Sequence, residues 1–224
     1  NSPEAAGFDV AQKTILEHSL RDFRLSGIDL PPEQQKRYAE VQSKLSELGS
    51  QFSNQLLDAT QAWTKLVSDE SALAGLTDSA KQQMAAAAKA KDLEGFLITL
   101  EFPSYYAVMT YAEDRALREE IYAAYCTRAS DQGPNAGQND NGPVMEQILD
   151  LRQELAQLLG FANFAELSLA TKMAESSDQV LSFLRDLAKR SKPFAALDLE
   201  QLKAFAAEQG CPDLQSWDSG FYGE

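Results

Sequence analysis

Few residues in this chain have the types and spacing to do chemistry. Glu146, Asp150 and Glu154 recur every four residues, which puts three carboxylates on one helix face. Such a row could hold a cation or meet the amino terminus of a peptide. Like charges at this spacing cost only about 0.2–0.5 kcal/mol per pair, so a solvated or salt-bridged face needs no ligand in order to exist. His18 is the single histidine. A His-Glu-x-x-His zinc helix needs two histidines four apart, and a di-iron bundle places a glutamate three residues before its histidine. Ile15 occupies that position here, so His18 reads as an ordinary surface or half-buried imidazole.

Gly133-Pro-Asn-Ala-Gly137 looks like a phosphate-cradling loop only in its glycines. No strand pattern precedes it and no Gly-Lys-Ser/Thr follows, so it reads as a connector, with a binding or positioning loop as the alternative. Arg128 lies on the same helical stripe as Ile121 and Tyr125. It either turns inward, where it needs a carboxylate or backbone carbonyls, or stands as a cation at a helix C-terminus. Cys126 and Cys211 are far from each other and from His18 in sequence, whereas a structural zinc needs about four ligands. The pair reads as reduced and intracellular, with a disulfide left open. No Gly-x-Ser-x-Gly elbow occurs. The residue patterns assign no catalytic residue and no metal ligand, and they identify no substrate-binding residue.

The elements that would position these groups are mostly helical. Val144, Ile148, Leu151, Leu155 and Leu158 share one face of a helix that Gly160 should stop, with Phe161 and Phe164 packing back on it in a short second helix. Asp9 caps a first helix running to about Ser26, with Leu16, Leu20 and Phe23 as its apolar stripe and Gly27 beyond. Pro31-Pro32-Glu33 starts a long helix to about residue 63. Its seam is Tyr38, Val41, Leu45, Leu48, Phe52, Leu56, Ala59 and Trp63, with Gly49 tolerated inside it. This seam suits an intramolecular helical hairpin, with a self-associating coiled coil as the alternative.

Thr77 caps an alanine-rich helix through about Lys91. Gly95–Phe102 is the best strand candidate, with Leu66-Val67 as an antiparallel partner. Helices are expected over 104–112 and 115–129, the second capped by Asp114. A loop follows at 131–143. Ser176 or Ser177 caps a helix carrying Val180, Leu181, Leu184 and Leu187. Pro193 should kink or divide it, and a further helix with Leu199, Leu202 and Phe205 should end at Gly210. The tail from Ser216 to Glu224 has three aromatics and no evident closing element. The expected fold is mainly α, multi-helical with long antiparallel helices and a minor two-stranded antiparallel β ribbon.

The chain has 224 residues, enough for a sizeable core, and a net charge of −14. That charge argues against nucleic-acid and anionic-membrane partners, since there is no Lys/Arg excess to meet phosphates. No run approaches the roughly 20 apolar residues of a membrane span. The chain opens at Asn1 rather than Met, which reads as a piece of a longer polypeptide.

One resemblance is specific. Leu151-Arg-Gln-Glu-Leu-Ala-Gln-Leu-Leu-Gly-Phe161, Ala165 and Lys172-Met-Ala174 resemble the thimet oligopeptidase and oligopeptidase A family of zinc metallopeptidases. So do Leu20–Gly27, Leu45–Gly49, Asp58–Thr60, Trp63–Val67 and above all Thr127–Gly137. The resemblance covers nearly the whole chain. It implies an α-rich channel wall over 1–224, with a possible subdivision near 131–143, in a cytoplasmic enzyme that cleaves short peptides with one zinc. The family's His-Glu-x-x-His motif has no counterpart here, so no zinc ligand or general base carries over. The segment is then a non-catalytic part whose partner is the remainder of its own chain, with zinc in the intact enzyme and none in this piece. The alternative is a self-sufficient helical protein–protein interaction module built on the helix that starts at Pro31.

Overall fold

The computed structural model describes residues 7–223, so Glu224, the last residue of the aromatic tail, lies outside the described residues. The described elements are α1 (Val10–Leu25), α2 (Pro32–Ala62), β1 (Thr64–Val67), α3 (Asp78–Lys89), β2 (Phe96–Thr99), α4 (Phe102–Tyr111), α5 (Arg115–Cys126), α6 (Gly142–Leu158), α7 (Phe164–Leu169), α8 (Ser177–Glu208) and α9 (Ser219–Tyr222). Short 3-10 turns occupy Glu70–Leu73 and Ser216–Asp218. The protein is mainly α with one two-stranded antiparallel ribbon. No described helix is long and apolar enough to cross a membrane.

The chain divides into two compact units. The first comprises Asn1–Ser50 and Glu146–Phe183. Asp9 caps α1 as expected, its carboxylate accepting from the Gln12 N–H at 2.8 Å while the Gln12 side chain accepts from the Asp9 N–H at 3.0 Å. The α1 stripe departs from expectation: Leu16, Leu20 and Phe23 are all exposed. Amphipathic spacing specifies a face that seeks cover, but not that this unit supplies it. After the turn at Gly27, the Tyr38 hydroxyl donates to the Leu25 carbonyl at 3.0 Å and fixes the start of α2. Val41 and Leu48 of α2, and Leu155 and Ala156 of α6, are buried.

Gly160 stops α6 as its sequence predicts. Its φ is +82°, its N–H donates to the Gln157 carbonyl at 3.0 Å, and the Phe161 N–H donates to the Ala156 carbonyl at 2.8 Å. These are the two bonds of a Schellman stop. Asn163 then caps α7 by accepting from the Glu166 N–H at 3.0 Å. Ser176, rather than Ser177, caps α8, with its hydroxyl accepting from the Gln179 N–H at 3.2 Å.

The second unit comprises Gln51–Met145 and Leu184–Glu224. The ribbon pairs Leu66 with Leu97 and Val67 with Phe96. It is shorter than the Gly95–Phe102 strand expected from sequence, because α4 already begins at Phe102. Thr77 and Asp114 cap α3 and α5. The core gathers Leu73, Ala80, Met84, Ile98, Leu100, Val108 and Ile121 from both strands' neighbourhood and from α3, α4 and α5.

Helix α5 ends at Cys126, three residues before the expected end, and Ala129 takes a φ of +49°. Pro193 does not divide α8, which is one helix of 32 residues. Proline removes a single N–H donor and costs about 3 kcal/mol, and the helix-forming turns on either side outlast that local loss. The tail is packed rather than free. Its Asp218 is fully buried, and its aromatics pack against the unit: Trp217 lies near Tyr122, and Tyr222 meets Phe205 edge-on.

Candidate functional site

The residues singled out in the sequence are scattered. His18 is exposed on α1. Glu146 and Asp150 are exposed on α6, while Glu154 takes both hydrogen bonds of a fork from Arg37, Nε to Oε1 at 2.6 Å and Nη2 to Oε2 at 2.8 Å. The hydrogen bond from Arg37 holds the Glu154 carboxyl below its ordinary range, ahead of the opposing effect of burial. The carboxylate row is therefore a solvated, salt-bridged face.

Arg128 is half-buried. Its Nε donates to the Tyr125 carbonyl at 2.9 Å, its Nη1 to the Thr60 hydroxyl at 3.3 Å, and its guanidinium lies 3.6 Å over the Tyr125 ring. It thus takes a backbone carbonyl, as the inward reading required, at the C-terminal end of α5, as the other reading had it. In turn, Tyr125 stacks on Tyr105 with ring centroids 3.7 Å apart. Burial, followed by the neighbouring Cys126 and tyrosines, pushes the Tyr105 hydroxyl up to about 12. Gly133 has a φ of +79°, and a Cβ there would run into the Thr127 side chain, so only glycine fits the turn. Both cysteines are free, Cys126 exposed and Cys211 buried. No group of three or more His, Cys, Asp or Glu side chains placed to hold a metal ion occurs among the described residues.

The structure assembles a cluster that the sequence did not announce. Asp218 is fully buried, and Arg118 is 1% exposed. The Asp218 carboxylate accepts from Arg118 Nη2 at 2.8 Å, from Arg115 Nη2 at 2.8 Å and Nε at 3.0 Å, and from the Gln215 N–H at 3.1 Å. The other side of Arg118 is also engaged, although its buried Nε has no hydrogen-bond partner among the described residues. Its Nη1 donates to the Ala112 carbonyl at 2.6 Å, and its guanidinium lies 4.2 Å from the centre of the Phe221 ring. Burial raises the Asp218 carboxyl, but the hydrogen bonds from Arg115, Arg118 and Gln215 outweigh it and hold it below the ordinary carboxylate range.

With its lone pairs taken up in this way, Asp218 has no free capacity to accept a proton from a substrate. The cluster is a fastening between α5 and the tail. Its members are about a hundred residues apart in sequence, so no local spacing marks them. The one available signal is Arg118, a charged residue three before Ile121 and seven before Tyr125 on the same helical stripe.

A cavity of about 240 Å³ lies between α3, β2 and α4. Met84, Leu97 and Ala107 form apolar walls, and Gln83, Glu101 and Ser104 supply polar groups. Ser104 is engaged there, its hydroxyl accepting from the Thr99 N–H at 3.1 Å.

Comparison with known proteins gives this framework a family. The model of peptidase family M3 matches residues 108–224, which takes in α5, the Arg115–Arg118–Asp218 cluster and more than half of the chain. Oligopeptidase A of Salmonella typhimurium is 60% identical over 220 residues, which cover 98% of this chain and 32% of that protein. Oligopeptidase A of Haemophilus influenzae is 57% identical over 225 residues, covering all of this chain and 33% of the relative. A probable cytosolic oligopeptidase A of Arabidopsis thaliana is 40% identical over 235 residues, again all of this chain and 32% of the relative. The chain thus spans about a third of the length of the curated relatives it matches. On the extent of the family match, this chain belongs to peptidase family M3.

Proposed function

We propose that this chain is the helical, channel-wall portion of a zinc-dependent oligopeptidase that hydrolyses short peptides. The observation that carries the reading is the 60% identity to an oligopeptidase A, sustained over 98% of the chain. The Arabidopsis relative named as cytosolic supports a cytoplasmic setting. In such an enzyme, a zinc ion would activate the water that attacks the peptide carbonyl. The described residues of this chain do not fit that metal: His18 stands alone and exposed, and no cluster of ligating side chains accompanies it. No chemical step is therefore assigned to them. Their part is to build a rigid wall and to exclude substrates that cannot enter as short extended peptides.

The burial of Val41, Leu48 and Ala59 inside the chain supports a scaffold reading of the long α2 seam over an interaction module that displays it. Metal analysis and a fluorogenic peptide assay test the proposal. The 224-residue chain should hold no stoichiometric zinc and turn over no peptide. A polypeptide extended along its own gene to the relatives' length should do both and should contain His-Glu-x-x-His. One tightly bound zinc per chain with turnover from the 224 residues alone would overturn the proposal.

A further inference from the structure

Helix α3 presents Ala80, Met84 and Ala87 on one side, at spacings of four and three. That side lines the cavity of about 240 Å³, with Leu97 of β2 and Ala107 of α4 among the other walls. Alanine at 80, 87 and 107 stops short where a larger side chain would fill the space. An apolar cavity of about 150 Å³ takes up one benzene, and sites for drug-sized ligands run to about 300–1,000 Å³. This hollow therefore suits a single apolar side chain. Its polar groups are unequally engaged. The Ser104 hydroxyl accepts from the Thr99 N–H at 3.1 Å, and the Thr99 hydroxyl accepts from the Glu101 N–H at 3.4 Å. The Glu101 carboxylate makes no cap bond to α4. Among the described residues, neither that carboxylate nor the Gln83 side-chain amide has a hydrogen-bond or ion-pair partner, and no Lys, Arg or His lines the cavity.

We infer that this cavity binds the amino-terminal residue of a short peptide, taking its apolar side chain into the hollow and its free ammonium group onto Glu101. An ammonium group brings three N–H donors and no acceptor. The rim answers with acceptors that nothing else uses, the Glu101 carboxylate and the Gln83 carbonyl oxygen. An anionic ligand would meet Glu101 with no cation to offset it. Burial of the side chain supplies the strength, and the exposed carboxylate, weak by itself, supplies the selectivity. All of the lining residues belong to the second unit. The choice of a peptide as the amine rests on the oligopeptidase reading above, which brings short chains with free amino termini to this protein.

Methyl NMR of the methionines tests the inference. The chain has four, of which Met84 lines the cavity at 2% exposure and Met173 is fully exposed as an internal control. Leucinamide, titrated at about pH 6 where its amine is charged, should shift the Met84 methyl signal saturably and leave Met173 in place. N-acetyl-leucinamide lacks the charge and glycinamide lacks the side chain, and each should bind about fivefold more weakly or worse. Glu101→Gln should weaken leucinamide by about fivefold and leave N-acetyl-leucinamide unchanged. Ala87→Leu fills the hollow and should abolish the Met84 shift, and the exposed Glu101→Gln still decides the matter if Ala87→Leu fails to fold. A Met84 signal that ignores leucinamide, equal binding of the acetylated form, or indifference to Glu101→Gln would each overturn the inference. The same titration on the polypeptide extended to the relatives' length separates the two readings. Peptide cleavage with an unresponsive Met84 would overturn the inference and spare the functional reading. A responsive Met84 without cleavage would sink the functional reading and leave the ammonium site standing.

Discussion

Each unit contains an arginine–carboxylate fork, and the two differ in everything except their chemistry. In the first unit, Arg37 grips Glu154 at 2.6 and 2.8 Å, with side chains 47% and 36% exposed. In the second, Arg115 and Arg118 grip an Asp218 that has no exposed surface. Water competes for the first pair and screens it, so its loss is nearly neutral. Asp218 has left water altogether, and its charge is tolerable only while its donors stay in place. Equal hydrogen-bond lengths thus conceal unequal structural weight.

The largest effect should come from splitting the buried cluster. Asp218→Ala leaves Arg118 buried without its counter-charge and should destabilise the protein by about 3–5 kcal/mol, read as a lowered midpoint in urea unfolding of the chain. Acid should come next. The folded Asp218 carboxyl titrates below its unfolded value, so its stabilisation is fully present above the ordinary carboxylate range of about pH 4 and is lost as pH falls through the folded value. Asp218→Asn should flatten that acid limb of the stability curve, and Glu154→Gln should flatten it much less, because the Glu154 carboxyl is also held below its ordinary range but in an exposed, screened pair. The smallest effect belongs to the exposed fork. Glu154→Gln should cost about 1 kcal/mol or less, and raising salt should erase the difference. If Glu154→Gln proved as damaging as Asp218→Ala, burial would not be what separates the two sites.

Local signals in the sequence decide local structure here. Asp9, Thr77 and Asp114 cap the helices expected of them, Gly160 makes its stop, and Leu66 meets the predicted second strand. Each is decided within a few residues by hydrogen-bond geometry or backbone conformation. The Arg118–Asp218 bond was illegible because its partners are 100 positions apart and no periodicity links them. Pro193 misled for a related reason: the rule that proline ends a helix weighs one lost donor, and α8 runs through that loss. The exposed stripe of α1 shows a third limit. Spacing identifies an apolar face, but the sequence of one segment does not say which polypeptide covers it.

The distance along the chain from Arg118 to Asp218 also matters during synthesis. A ribosome adding about 5–20 residues each second needs several seconds to make the intervening stretch. Throughout that interval the α5 arginines have been made and their acidic counterpart has not. The second unit can therefore complete its charge pairing only after its closing aromatic segment begins to emerge, so its assembly follows the order of translation.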